Sequence, residues 1–275
     1  MTDLSFTSAV LAVEITAHVG TLWLANEPKR NAMGPAFWED LPKAIDALLD
    51  AECRVIVLAA RGPHFTVGLD LKSMGGSGAR VEGESQATAR RRMYQDVKRL
   101  QASITAVANC PVPVVAAIHG WCIGGGIDLI CAADIRLASA DAKFSVRETR
   151  VAITADVGTL QRLPKVVTAG HVAELVYTGK DIDAQRAATI GLVNDVYSDV
   201  DALLVAAYAM ANDIAANSPL AVQGSKAVLR AGDSMTVEQG LDYVALWNSA
   251  FLPSNDLTEA MVAFVQKREP SFRGD

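Results

Sequence analysis

Apolar residues recur at two spacings along this chain, and the change from one to the other marks out its elements. Leu11 to Ile15 and Thr21 to Leu24 read as paired strands, and Pro35 to Asp50 reads as a helix with a proline near its start. The runs Arg54 to Ala60 (RVIVLAA) and Val112 to Ile118 (VPVVAAI) read as buried strands. Strand, helix and strand in this order predict an α/β core with partly parallel pairing. Between the two runs, Met74 to Glu84 is rich in Gly and Ser and reads as a mobile loop. Met93, Val97, Leu100, Ile104 and Val107, spaced 4, 3, 4 and 3 apart, draw one apolar stripe along a helix. From about residue 170 the pattern turns helical, with Leu203 to Ala216, Val237 to Ala250 and Asp256 to Arg268 as helices. Asp256 and Glu259 have the spacing of a capping box at the start of the last one. The expected division is a strand-rich core over residues 1–195 and a helical region over 196–275, with no internal repeat.

Composition narrows the function more than the fold. Of 275 residues, 51% are hydrophobic and 20% charged, which describes a globular chain with a substantial core. A net charge of −6 argues against general nucleic-acid binding, since a phosphate backbone favours a basic surface, but leaves room for a local cluster of Lys and Arg on an anionic ligand. Cys53, Cys110, Cys122 and Cys131 form no CxxC pair and sit in apolar surroundings, the pattern of buried thiols in a reducing compartment. The N-terminal stretch has acidic residues and no basic segment before its apolar run, so it does not read as a signal peptide. The longest uncharged stretch, Gln101 to Ile127, is broken by Asn109, Pro111, Pro113 and His119, and no membrane span is expected. The final Arg273-Gly274-Asp275 is not a peroxisomal tripeptide, and the cytoplasm is the expected location. His18, His64, His119 and His171 lack metal-ligand spacing, so no metal site is expected.

The most informative stretch is His119-Gly120-Trp121-Cys122-Ile123-Gly124-Gly125-Gly126-Ile127-Asp128-Leu129, which follows a buried strand and precedes a helix. Its glycines permit close approach of a ligand to backbone, and its N–H groups would favour negative charge at a helix start. A plain strand-to-helix turn explains the glycines equally well. No P-loop Lys-Ser/Thr follows them, and neither GxGxxG nor GxSxG occurs in the chain, so phosphate-cradling and serine-hydrolase readings lack their main residues.

With Phe65-Thr66-Val67-Gly68-Leu69-Asp70-Leu71 upstream and Thr178-Gly179, Ala184, Ala187 and Gly191-Leu192-Val193 downstream, the segment Pro113 to Pro164 resembles the core of the enoyl-CoA hydratase/isomerase (crotonase) superfamily. The match runs over nearly the whole chain. This resemblance implies the α/β crotonase (ClpP-like) fold, with repeated ββα units and a helical C-terminal region for oligomerisation as a homotrimer or homohexamer. It implies an acyl-CoA thioester as partner and no separate cofactor, because coenzyme A is part of the substrate. The family's oxyanion hole carries over to the backbone N–H groups of Leu69 and Gly125, where pre-aimed donors would meet the charge that develops on a thioester oxygen. Coenzyme A contacts carry over to Lys29, Arg30, Val67 and Lys72, with Phe264 and Lys267 of the terminal helix reaching the site of a neighbouring subunit.

Acidic residues separate the branches of this superfamily. Asp128 follows the glycine run, Glu148 stands twenty residues later and Asp156 eight beyond that. Alone, each has an ordinary role: Asp128 as a helix cap, Glu148 solvated or paired with Arg147 or Arg150, Asp156 beside Gly158 as a turn residue. Together, with Ala155-Asp156-Val157-Gly158-Thr159-Leu160-Gln161-Arg162-Leu163-Pro164 around the last, they resemble the Δ3,5-Δ2,4-dienoyl-CoA isomerases. Converting a 3,5-dienoyl thioester to its 2,4-isomer removes a proton at C2 and adds one at C6, about 5 Å away and beyond the reach of one carboxylate. Glu148 at the C2 end and Asp156 at the other supply two carboxyl groups, with Asp128 orienting or tuning Glu148, and an apolar pocket would keep one of them protonated near neutral pH. The nearest alternative is an enoyl-CoA hydratase using Asp128 and Glu148. A more distant one is a non-catalytic RNA- or ligand-binding homologue, suggested by the basic run from Arg90-Arg91-Arg92 to Lys98-Arg99 with Tyr94.

Overall fold

The third strand, β3 (Val55–Ala60), is buried along its whole length, and its alternate residues go to two different cores. Ile56, Leu58 and Ala60 face one apolar cluster, while Val55, Val57 and Ala59 face another. A strand covered on both faces has no polar side to show, which is why RVIVLAA is apolar throughout. The computed structural model describes residues 6–73 and 83–275. The strands β1 (Leu11–Thr16) and β2 (Val19–Leu24) precede β3, and β4 (Val114–Ile118) follows it. With β6 (Ile135–Ser139) and β9 (Asp195–Tyr197) they make a six-stranded sheet in the order β1-β2-β3-β4-β6-β9. Only the β1–β2 pair is antiparallel; the other four pairings are parallel. Short strands β5 (Trp121–Ile123), β7 (Lys143–Ser145) and β8 (Ile182–Asp183) form a second sheet of three. Strand pairs split between two sheets and followed by a helix are the expected ββα units.

Helices α1 (Pro35–Asp50), α2 (Gln86–Asn109) and α3 (Gly125–Ala132) cover one face of the large sheet. Phe37, Leu41, Ala44 and Leu48 of α1 make the stripe that its period predicts. The stripe on α2 divides: Ile104 and Val107 are buried in the core, whereas Met93, Val97 and Leu100 line the cleft described below. The anticipated loop from Met74 to Glu84 falls, as far as residue 82, outside the described residues.

Short helices α4 (Thr159–Arg162), α5 (Ala169–Thr178) and α6 (Ala184–Thr189) lead to α7 (Val200–Ala215). Leu203, Ala207, Ala211 and Ala215, four residues apart, lay α7 across the opposite face of the sheet against Val19, Val55 and Val115. The last strand of the sheet ends at Tyr197, and α7 packs with the core because those small side chains let it sit directly on the strands. Helices α8 (Pro219–Gly232), α9 (Val237–Phe251) and α10 (Asn255–Gln266) complete the chain. The capping box expected at Asp256 and Glu259 is not formed. Ser254 caps α10 by accepting from Leu257 N–H at 3.1 Å. Asp256 instead turns inward, where Ser218 Oγ and the Arg273 N–H donate to it at 2.7 Å. A buried carboxylate recruits the folded-back C-terminal tail as its donors. The box that does form joins Thr236 and Gln239 at the start of α9. Among the described residues no helix is long and apolar enough to cross a membrane.

Candidate functional site

Strand β4 ends at a turn into β5, and β5 runs through Gly124 into α3, so the glycine run sits where sheet becomes helix. Gly124 has φ 55°, and a side chain on it would meet Glu148 Oε1 at 3.5 Å. Beside this turn lies the segment from Phe65 to Asp70, held like an extra strand. Thr66 N–H donates to the Trp121 carbonyl at 2.8 Å, and Ile123 N–H donates to the Thr66 carbonyl at 3.1 Å. Gly68, at φ 80°, backs onto the turn so closely that a methyl group there would stand 2.6 Å from the Ile123 carbonyl and 3.4 Å from the Gly125 nitrogen. The pairing therefore sets the chain at Gly68 and Leu69 against the Gly124–Gly125 turn. The amides flanking Leu69 are used: Gly68 N–H donates to Thr66 Oγ1 and Asp70 N–H to the Met33 carbonyl. Leu69 and Gly125 N–H make no hydrogen bond among the described residues. For Gly125 this follows from its position as the first residue of α3, where a helix has no internal acceptor for its amide.

The three acids converge on this turn. Asp128 lies one turn into α3, is 1% exposed, and accepts a hydrogen bond from the Thr159 N–H at the start of α4. It caps another helix rather than its own. Burial, reinforced by the Glu148 charge, pushes its carboxyl up to about 7. Glu148 opens a single 3₁₀ turn after β7, and its Oε2 is buried with no hydrogen-bond partner among the described residues. Burial raises its pKa, and the Asp156 charge raises it further. Burial likewise raises Asp156. Neither candidate arginine neutralises Glu148: Arg147 pairs with Asp181, and Arg150 donates to the Thr178 carbonyl. Each of the three carboxyls is therefore raised chiefly by burial, with the Asp156 charge acting on Glu148 and the Glu148 charge on Asp128.

A cleft of about 880 Å³ joins these parts. All three acids, Leu69 and Gly125 line it, as do Lys29, Arg30, Val67 and Lys72. Lys29 donates to Asp70 Oδ2 at 3.2 Å and holds that carboxyl below its usual range. A larger cavity, about 1160 Å³, lies among α8, α9 and α10. Its acids, Asp134 and Asp256, are already engaged by Lys226 and by Ser218. The smaller cleft is the one with free chemistry.

The sequence model of the enoyl-CoA hydratase/isomerase family matches residues 14–275. The chain belongs to that family. Among individual proteins of the enoyl-CoA hydratase/isomerase family, it is 42% identical over 259 residues to the mitochondrial Delta(3,5)-Delta(2,4)-dienoyl-CoA isomerase of Dictyostelium discoideum, covering 93% of this chain and 87% of that one. It is 44% identical over 252 residues to the peroxisomal Delta(3,5)-Delta(2,4)-dienoyl-CoA isomerase of Arabidopsis thaliana, covering 90% and 91%. These relatives are named for organelles, unlike the cytoplasm expected above. A solved enoyl-CoA hydratase from Bacillus anthracis superposes with a TM-score of 0.87 at 31% identity, over 97% of this chain and all of that one.

Two enoyl-CoA hydratase/isomerase positions singled out in the sequence stand away from this chain's own cleft. Phe264 and Lys267, at the end of α10, do not line it, and Phe264 is 83% exposed. Other residues were missed. Trp121 and Arg147 line the cleft, and the cations of Lys143 and Arg147 lie over the Trp121 ring at 5.3 and 5.7 Å. Met33 packs beneath the glycine turn, where a Cβ on Gly125 would meet its Sδ at 2.9 Å. Strand alternation in β5, with Trp121 and Ile123 toward the cleft and Cys122 toward the core, was the available signal.

Proposed function

We propose that this protein isomerises 3,5-dienoyl-CoA to 2,4-dienoyl-CoA, in the type of chemistry that fatty-acid β-oxidation requires. The observation that carries the reading is one cleft lined by three acids, each raised by burial, together with two peptide N–H groups unengaged among the described residues. In this reading the thioester oxygen lies against the N–H groups of Leu69 and Gly125, which stabilise the dienolate as a proton leaves C2. Glu148 takes that proton. Its Oε1 stands beside Gly124, next to the oxyanion turn and thus near the carbon adjoining the thioester. Asp156, further along the cleft, gives a proton to C6. Asp128, itself raised by the Glu148 charge, orients or tunes Glu148 and stays out of contact with the substrate. Lys29, Arg30, Val67 and Lys72 hold coenzyme A at the mouth, while Phe264 and Lys267 serve the cleft of a neighbouring copy in a trimer or hexamer.

A hydratase reading uses Asp128 and Glu148 and leaves the cleft-lining Asp156 without a task. Ultraviolet spectra separate the two. A 3,5-dienoyl-CoA should gain the absorbance of a diene conjugated with the thioester, while a 2-enoyl-CoA should lose little of its own. Rapid loss of enoyl absorbance with an unchanged dienoyl substrate would establish the hydratase instead.

A further inference from the structure

Helix α2 meets the cleft with one face and the Asp156 segment with the next. Met93, Val97 and Leu100 line the apolar wall. The following residue, Gln101, donates from Nε2 to the Asp156 carbonyl at 2.7 Å. Its own Oε1 accepts from Lys98 Nζ at 2.9 Å, so the amide is oriented at both ends. One turn on, Thr105 Oγ1 accepts from Arg162 Nη2 at 2.9 Å, and Arg162 Nη1 donates to the Val157 carbonyl at 3.4 Å.

These contacts matter because the segment has little else to hold it. Ile153 N–H reaches back to the Glu148 carbonyl, and the next backbone pairing is Gln161 N–H to Gly158. From Thr154 to Val157 no backbone–backbone hydrogen bond is made among the described residues. An acid that must reach a carbon about 5 Å from the first proton-transfer site, with hydrogen-bond tolerance at both, needs its main chain fixed from outside.

We infer that Gln101 is the positioning residue for Asp156, its side-chain amide setting where the Asp156 carboxyl stands along the cleft relative to Glu148. This rests on the proposed dienoyl isomerisation. The helix that lines the acyl chain also registers the distal acid, so substrate and acid are measured from one element. Gln101 does not touch the reacting atoms. Its loss should therefore show at one end of the substrate and not at the other.

The test follows deuterium from heavy water into a 3,5-dienoyl-CoA, at C2 and at C6, using full-length Gln101→Ala, Gln101→Glu and Asp156→Asn proteins. Both Gln101 variants remove the donor, and Gln101→Glu keeps its length should the alanine variant fail to fold. Label at C6 and isomerisation should fall about tenfold or more in each, while exchange at C2 stays within about threefold, since Glu148 is untouched. Asp156→Asn should lose C6 label at least as completely. If Asp156→Asn loses C6 label and the Gln101 variants keep it, Gln101 has no positioning role and the isomerase reading stands. Equal loss at both carbons in the Gln101 variants makes Gln101 a general structural prop and overturns the inference. Retention of C6 label in Asp156→Asn overturns the isomerase reading, and this inference with it.

Discussion

Asp128 shows how far one residue's surroundings can change its chemistry. An exposed aspartate ionises near 3.8, but here burial and the Glu148 charge move the carboxyl to about 7. Below about pH 4 both the folded and unfolded chains hold that proton, and the group contributes nothing to stability. Between that pH and 7 the unfolded chain releases the proton first, so rising pH takes stability from the fold. Above 7 the cost levels off, on the order of 2–4 kcal/mol. Asn at this position still accepts the Thr159 N–H and never ionises. Thermal melts should therefore show Asp128→Asn more stable than the parent at pH 8, with the gap closing toward pH 4.5. A parent more stable than the variant at pH 8 would mean that the Thr159 hydrogen bond outweighs the desolvation of the charge. The same residue explains why an acid that looked like a cap is not one for its own helix: Gly124 precedes α3, and the carboxylate reaches α4 instead.

At the scale of the element, α3 is a helix whose first residue is placed for its backbone. A proline at the first position of a helix keeps helical φ and removes only an amide that has no internal acceptor. Gly125→Pro therefore deletes the proposed oxyanion donor with limited damage, since the nearest obstacle is the Sδ end of the flexible Met33 side chain. Isomerisation should fall by about 10²-fold or more, the scale for losing one oxyanion donor. A circular-dichroism melt checks that the variant is folded. Near-normal turnover in a folded variant would remove Gly125 from the oxyanion role. The elements α1 and α7 follow their apolar periods closely, whereas α2 uses one continuous stripe for two purposes. Periodicity reports which residues leave water; it does not distinguish a core from a cleft wall.

On the whole molecule, apolar side chains remain in contact with water at one end. Val237 is 82% exposed, Val265 79% and Leu229 75%, on helices that flank the larger cavity. Isolated apolar residues on a surface are ordinary, but a group on neighbouring helices favours association. The proposed trimer or hexamer covers such surface and supplies Phe264 and Lys267 to another copy's cleft. Light scattering at micromolar concentration should give three or six times the chain mass of 29.1 kDa. A stable monomer with full activity would exclude this arrangement.

The sequence by itself determined β3 and β4, because a strand buried on both faces leaves a run such as Val55 to Ala60 with no polar position. It determined the family as well, through the glycine run and the spacing of Asp128, Glu148 and Asp156. It left open whether each acid was a cap, a surface charge or a turn residue, since that depends on neighbours distant along the chain. Tertiary structure decided it by burying Asp128 against Thr159, directing Arg147 to Asp181, and leaving Glu148 Oε2 without a donor among the described residues. The false capping box at Asp256 has the same cause: local spacing suggested a cap, but the C-terminal tail returns to that carboxylate. Gln101 was invisible for a related reason. A glutamine on a helix carries no signal until the fold sets a bare carbonyl 2.7 Å from its amide.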